Sequence, residues 1–292
     1  MDATALRARF EAVPYHATLG LRVEAIEAER VRVRLPYKDD SANPGQALHG
    51  GATASTIDAA GALAGWAALG GAPGLETGTL DLSVNYLSAA IGEDIIATAE
   101  VLRRGKELVY SAVDVRTEAG KRIAIGLSTY RGFDVAANPL AAERQFAAPG
   151  PAATSATEMV QGARAFVMSP FMARLGIGVE RAHGGVARLV MPCSADQRDA
   201  DGALHEGALA ALIDSSGALS AWSLVGLDMR FKASTVGIHV NFHGRMPGES
   251  VVACARTLRR NNEIFLNEVA IVAGVSRAVL ASGAVTYRIV IP

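Results

Sequence analysis

Five residues of low abundance, His49, Asp58, Trp66, Asn85 and Glu93, recur as His205, Asp214, Trp222, Asn241 and Glu249, each displaced by 156 positions. The match runs ungapped from Leu19/Leu175 to Glu107/Glu263. That is far beyond chance, so one fold is used twice. The 292 residues divide into an N-terminal unit (1–135) and a C-terminal unit (161–292), each large enough for its own core. Between them, residues 136–160 are rich in Ala, Pro, Ser and Thr without strand alternation, and read as a linker. Fully extended, such a segment spans several tens of ångströms, enough to run from one unit's end to the other's start.

Within each copy the hydrophobic period assigns the elements. Val31 to Leu35 alternates apolar and charged, as does Thr79 to Tyr86, matched by Thr235 to Phe242; these predict strands with one face in a core. Further strands are expected at Ile95 to Leu102, Leu108 to Arg116 and Ile123 to Tyr130. The hairpin turns contain Gly105 in one copy and Asn261-Asn262 in the other, residue types that tolerate positive φ. One long helix per copy begins just after His49 or His205 and runs to Leu69 or Val225. It is apolar nearly all round and must be buried nearly all round. Antiparallel strands with one such helix imply an α+β fold in which the sheet wraps the helix.

Composition excludes several function classes. The formal net charge is −1 and no basic run exceeds a pair such as Arg103-Arg104, so no surface for a nucleic-acid backbone is expected. Ala59 to Leu75 is uncharged but punctuated by glycine and proline, too short for a membrane span. Met1 to Glu11 carries Asp2, Arg7, Arg9 and Glu11 and does not read as a secretion signal. The two cysteines, Cys193 and Cys254, read as small core residues of a reduced compartment. The expected location is the cytoplasm. No phosphate loop, Cys/His metal spacing or G-x-S-x-G elbow occurs, so neither cofactor nor metal is expected.

The chemistry concentrates around Asn43-Pro44-Gly45-Gln46-Ala47-Leu48-His49-Gly50-Gly51, followed by Asp58. A His-Gly-Gly helix start leaves backbone N–H groups free to meet an oxygen, and glycine lets a ligand approach them. The pattern resembles N-x-x-G-x-x-H-G-G…D of the hotdog acyl-CoA thioesterases related to phenylacetyl-CoA thioesterase, with Gly45 one place early. The resemblance implies two tandem hotdog domains and hydrolysis of an acyl-CoA to free acid and CoA. Asp58 lies nine residues beyond His49, about 13 Å along a helix and too far to share one reacting centre with it. In the resembled family two units pair with antiparallel helices, each helix start facing the other's carboxylate, and here one chain supplies both units.

One composite site is then expected from Asn43, His49 and Gly50 with Asp214 and Thr235, and a reciprocal site from His205, Glu206 and Gly207 with Asp58 and Thr79. The threonines stand where the family orients the water or the carboxylate. Asp58 and Asp214 serve as general base or nucleophile. The second copy departs from the pattern, with Asp199 in place of Asn and Glu206 in place of the first Gly. An anion at the thioester position favours the Gly50/Asp214 site as the working one. Arg103, Arg104, Lys106, Arg259 and Arg260 are candidates for CoA phosphates, against the plainer reading of solvated turn charges. Trp66 and Trp222 read as core or interface residues. Two other functions fit the fold: a non-catalytic acyl-CoA binding or sensing module, and a hotdog dehydratase or hydratase, whose local pattern is not found. Association of two chains beyond the intramolecular pair is left open.

Overall fold

A computed structural model describes residues 1–70, 75–134, 162–166, 169–228, 230–245 and 248–290. The segment read as a linker lies outside them. In the first copy the strands are β1 (Arg22–Ile26), β2 (Arg30–Leu35), β3 (Leu75–Tyr86), β4 (Ile95–Arg104), β5 (Leu108–Thr117) and β6 (Arg122–Asp134). In the second they are β7 (Gly178–His183), β8 (Val186–Met191), β9 (Lys232–Phe242), β10 (Val251–Asn261), β11 (Ile264–Ala273) and β12 (Val279–Val290). The helices are α1 (Ala3–Glu11), α2 (Pro14–Leu19), α3 (Gly50–Leu69), α4 (Ala163–Phe166), α5 (Pro170–Arg174) and α6 (Glu206–Val225). At the β10–β11 turn Asn262 takes positive φ, at 54°, whereas Gly105 at the equivalent β4–β5 turn does not.

All strands join one 12-stranded sheet in the order β1-β2-β4-β5-β6-β3-β9-β12-β11-β10-β8-β7, which is the first copy's order followed by its mirror. The copies meet where β3 pairs antiparallel with β9. There Ser83 stands opposite His239, residues related by the repeat itself, so the pseudo-twofold axis passes between them. Ser83 Oγ and His239 Nδ1 are 2.8 Å apart, and Asp81 Oδ2 lies 3.2 Å from the other ring nitrogen.

The sheet curls around α3 and α6. Every residue from Gly51 to Trp66 and from Glu206 to Ser223 is buried. The hydroxyls these helices bury are satisfied locally: Thr56 donates to the carbonyl of Ala52, and Ser215 and Ser216 to those of Ala211 and Leu212, the back-bonding that lets Ser and Thr sit inside an apolar helix. By length and hydropathy α6 alone among the described helices matches a bilayer span, but 89% of that stretch is covered by protein. Both cysteines are free, and they depart from expectation only in being half-buried rather than core residues.

The helices cross antiparallel at their first turns, Gly51 against Ala211 and Gly207 against Ser55, with the Ser55 hydroxyl donating to the Gly207 carbonyl at 2.9 Å. A methyl at Gly51 would lie 2.7 Å from Ala211 Cβ and 2.9 Å from its Cα. Gly51→Ala is therefore expected to destabilise the chain by about 1–3 kcal/mol through overpacking. Urea denaturation measures this, and an unchanged midpoint would contradict the close crossing.

Candidate active site

The crossing brings the start of each helix beside the middle of the other. His49 caps α3, its Nδ1 accepting the Gly51 N–H at 2.9 Å. An accepting Nδ1 places the ring proton on Nε2, and burial lowers the imidazole pKa to about 4. The ring is neutral, so its 3.7 Å approach to Asp214 Oδ2 is not an ion pair. Phe171 stacks on it with centroids 4.6 Å apart.

Asp214 projects from α6 onto this helix start. Its Oδ1 accepts from the Thr235 hydroxyl at 2.6 Å, and the Gly51 N–H also reaches the carboxylate. Burial raises its pKa from 3.8 to about 6, against the opposing pull of those two donors. Tyr86 fixes the helix start from the side, its hydroxyl donating to the Gly50 carbonyl at 2.9 Å. The Gly50 N–H has no partner among the described residues. It is aligned with the positive end of the α3 dipole, where an oxyanion is stabilised.

These groups open onto a cavity of about 720 Å³ lined by Asn43, His49, Gly50 and Tyr86 from the first copy and by Asp214 and Thr235 from the second. The five residues expected to form this site are thus brought together. Tyr86 was not singled out from the sequence, although it faces Phe242 in the repeat register and so marks one position where the copies differ in hydrogen-bonding capacity. Trp222, read as core or interface, lines the cavity.

The reciprocal cluster keeps the same internal distances. Thr79 donates to Asp58 Oδ1 at 2.7 Å, His205 Nδ1 accepts the Gly207 N–H at 2.9 Å, and His205 lies 3.6 Å from Asp58. Its difference is Glu206, whose carboxylate lies close enough to its own backbone N–H, the group equivalent to the free N–H of Gly50, for that N–H to oppose the rise in its pKa that burial causes. That side chain is buried against Gly78 and faces Arg245 at 3.4 Å. Arg245 is tied to Asp199 at 2.6 Å and Asp201 at 3.0 Å. Burial raises the pKa of both Asp58 and Glu206, and the Glu206 charge raises that of Asp58 further, so the pair resists full ionisation. His205 is fully occupied too: its Nε2–H donates to His16 Nε2 at 3.1 Å, and His16 Nδ1–H to the Phe10 carbonyl at 2.9 Å, the tautomers following from the accepting Nδ1 of His205. The second copy has Met172 at the position of His16, so no such histidine stands beside His49.

Arg103, Arg104, Lys106, Arg259 and Arg260 stand exposed at the β4–β5 and β10–β11 hairpins. None of them lines the cavity. No group of His, Cys, Asp and Glu that could hold a metal ion occurs among the described residues.

Comparison with known proteins gives the site a family. The thioesterase superfamily model matches residues 45–124, from the loop before His49 into β6. Acyl-coenzyme A thioesterase 13 of Homo sapiens is 37% identical over 102 residues, 34% of this chain and 71% of that protein. The chain belongs to the thioesterase superfamily. A second superfamily relative, the medium/long-chain acyl-CoA thioesterase YigI of Escherichia coli, is 31% identical over 136 residues, 40% of this chain and 84% of that one. The tandem fold itself recurs in a conserved protein with hot dog fold from Alicyclobacillus acidocaldarius, with a TM-score of 0.62, 15% identity and coverage of 96% of this chain and 98% of that one. The α+β tandem hotdog architecture follows.

Proposed function

We propose that the chain hydrolyses acyl-CoA thioesters to free acid and CoA at one composite site, built from Asn43, His49 and Gly50 of the first copy and Asp214 and Thr235 of the second. The observation that carries this reading is the pairing of a helix-start N–H at Gly50, without a partner among the described residues, with the buried carboxylate of Asp214, both open to one cavity. The thioester carbonyl oxygen accepts from the Gly50 N–H. Asp214, one oxygen held by Thr235, takes a proton from water as that water attacks the carbonyl carbon. The tetrahedral oxyanion is held by the N–H and the helix dipole. It collapses with cleavage of the C–S bond, and the proton on Asp214 passes to the departing thiolate. Direct attack by Asp214 needs the same ionised carboxylate.

In the reciprocal cluster the carboxylate of Glu206 already sits on the equivalent N–H, as an oxyanion would. That cluster is closed to a thioester and does not turn over. We place the activity in the cytoplasm, where the two free thiols stay reduced.

Two measurements bear on this. Release of free thiol from acyl-CoAs is expected from the purified chain; binding without release from any acyl-CoA would leave only a binding module. The base must be ionised, so kcat/KM is expected to rise with pH along an acid limb with an apparent pKa near the value of about 6 held by Asp214. A limb at the ordinary 3.8 would mean that this buried carboxylate is not the group that titrates.

A further inference from the structure

The cavity extends along α6 away from the reacting groups. Asp214, Ser215, Ala218 and Trp222 all lie on its wall, at the spacing of one helical face. Trp222 is the last α6 residue to reach it, and Phe231 and Tyr287 join it there. The wall is rigid. Trp222 is buried, its ring stacks on Phe231 with centroids 6.3 Å apart and planes 10° apart, and its Nε1 donates to the Tyr287 hydroxyl at 3.2 Å.

The two copies treat this aromatic group differently. In the first copy Trp66 and Tyr130 belong to the main core, Trp66 donates to the Tyr130 hydroxyl, and the Arg9 guanidinium covers the indole 4.2 Å from its centre. In the second, Ala218, Trp222 and Tyr287 form an apolar cluster separate from the main core. The cavity has walls on both sides of that separation, Leu48 and Met172 on one and Trp222 and Tyr287 on the other. It occupies the gap between them.

We infer that this limb holds the acyl chain and that Trp222 sets its length, selecting medium-chain acyl groups. Eight helical residues from Asp214 to Trp222 span about 12 Å. Both side chains lean toward the helix N-terminus, so their separation follows that of their backbones. An extended chain of C–C bonds of about 1.5 Å advances about 1.25 Å per carbon, so the limb takes about eight to ten carbons. Ala218, Trp222, Phe231 and the ring of Tyr287 give this end of the limb a mainly apolar wall, which suits an apolar acyl terminus.

The inference rests on the thioesterase reading, and the experiment separates the two. kcat/KM is measured by thiol release over straight-chain acyl-CoAs from four to sixteen carbons, for the wild type and for Trp222→Ala, Trp222→Phe and Trp66→Ala. The wild type is expected to peak at about eight to ten carbons and to fall at least tenfold by sixteen, an aliphatic chain too long for its pocket being expelled or strained. Trp222→Ala moves the optimum about two to four carbons longer by opening the wall, and Trp222→Phe moves it less, serving also where the alanine variant does not fold. Trp66→Ala, at the repeat-equivalent place away from the cavity, leaves the optimum where it is. Turnover with an optimum that neither Trp222 variant moves, or that Trp66→Ala moves equally, overturns the length selection and spares the thioesterase. Absence of thiol release from every chain length by the folded wild type overturns both.

Discussion

Replacing Asp214 by Asn is expected to lower kcat by about 10³-fold, within the range for loss of a positioned acid–base group, while leaving the chain as stable as the wild type at pH 7 or more so. The second half of that result follows from the same burial that makes the carboxylate useful. Its folded pKa of about 6 lies above the ordinary 3.8, so the folded state binds the proton more tightly than the unfolded chain. Stability contributed by this group is therefore full below pH 3.8 and is lost as pH rises to about 6. At pH 7 the ionised, buried carboxylate costs up to about 3 kcal/mol relative to its protonated form. Asn removes that charge, and its carbonyl still accepts from Thr235 (2.6 Å to Asp214 Oδ1 in the wild type). Melting temperature and thiol release measured on one preparation check both halves. An inactive variant that is also strongly destabilised would point to a structural role for Asp214 instead.

Gly50→Ala is expected to reduce kcat/KM by about 10²–10³-fold, comparable to removal of an oxyanion donor. A Cβ there would stand 2.8 Å from Asp214 Oδ2 and 3.4 Å from its Cγ. Either the carboxylate or the helix start must shift by several tenths of an ångström, and the two then no longer face the same carbonyl. Misfolding is not the expected cause, because the second copy carries Glu206 at the equivalent first position of α6 and builds the same capped helix. Steady-state kinetics with an acyl-CoA, alongside a thermal melt, make the test. Activity within threefold of wild type would show that Gly50 does not need to be bare against Asp214.

Much of this arrangement is legible in the residues because it is repeated. The displacement of 156 positions aligns the cap histidines, the helix carboxylates and the threonines that bond them, and the all-round apolar pattern after His49 and His205 fixes the bounds of α3 and α6. The crossing of the copies came from the distance between His49 and Asp58 together with the family resemblance. What escaped notice lies where the copies differ. His16 replaces Met172, Tyr86 replaces Phe242 and Arg245 replaces Ala89. Each is a single substitution in sequence, and only the fold shows that His16 and Arg245 converge on the closed cluster while Tyr86 and Met172 border the open cavity. The role of Trp222 was hidden for the converse reason: it matches Trp66 in identity, but one ring is sealed by Arg9 and the other faces a cavity. Charge pairs at hairpin turns carried no such information. Arg103, Arg104, Lys106, Arg259 and Arg260 look the same in sequence whether or not a phosphate lies nearby.

Of two geometrically similar Asp–Thr–His clusters, only the one at Asp214 is proposed to perform the hydrolysis. Free-thiol release from a medium-chain acyl-CoA, measured side by side for the wild type, Asp214→Asn and Asp58→Asn, distinguishes the two clusters. Asp214→Asn is expected to be nearly silent and Asp58→Asn to keep the wild-type rate within a few-fold, because the Glu206 carboxylate lies at the N–H that a thioester at that cluster would need. Loss of activity in Asp58→Asn with retention in Asp214→Asn, or equal partial loss in both, would contradict that assignment.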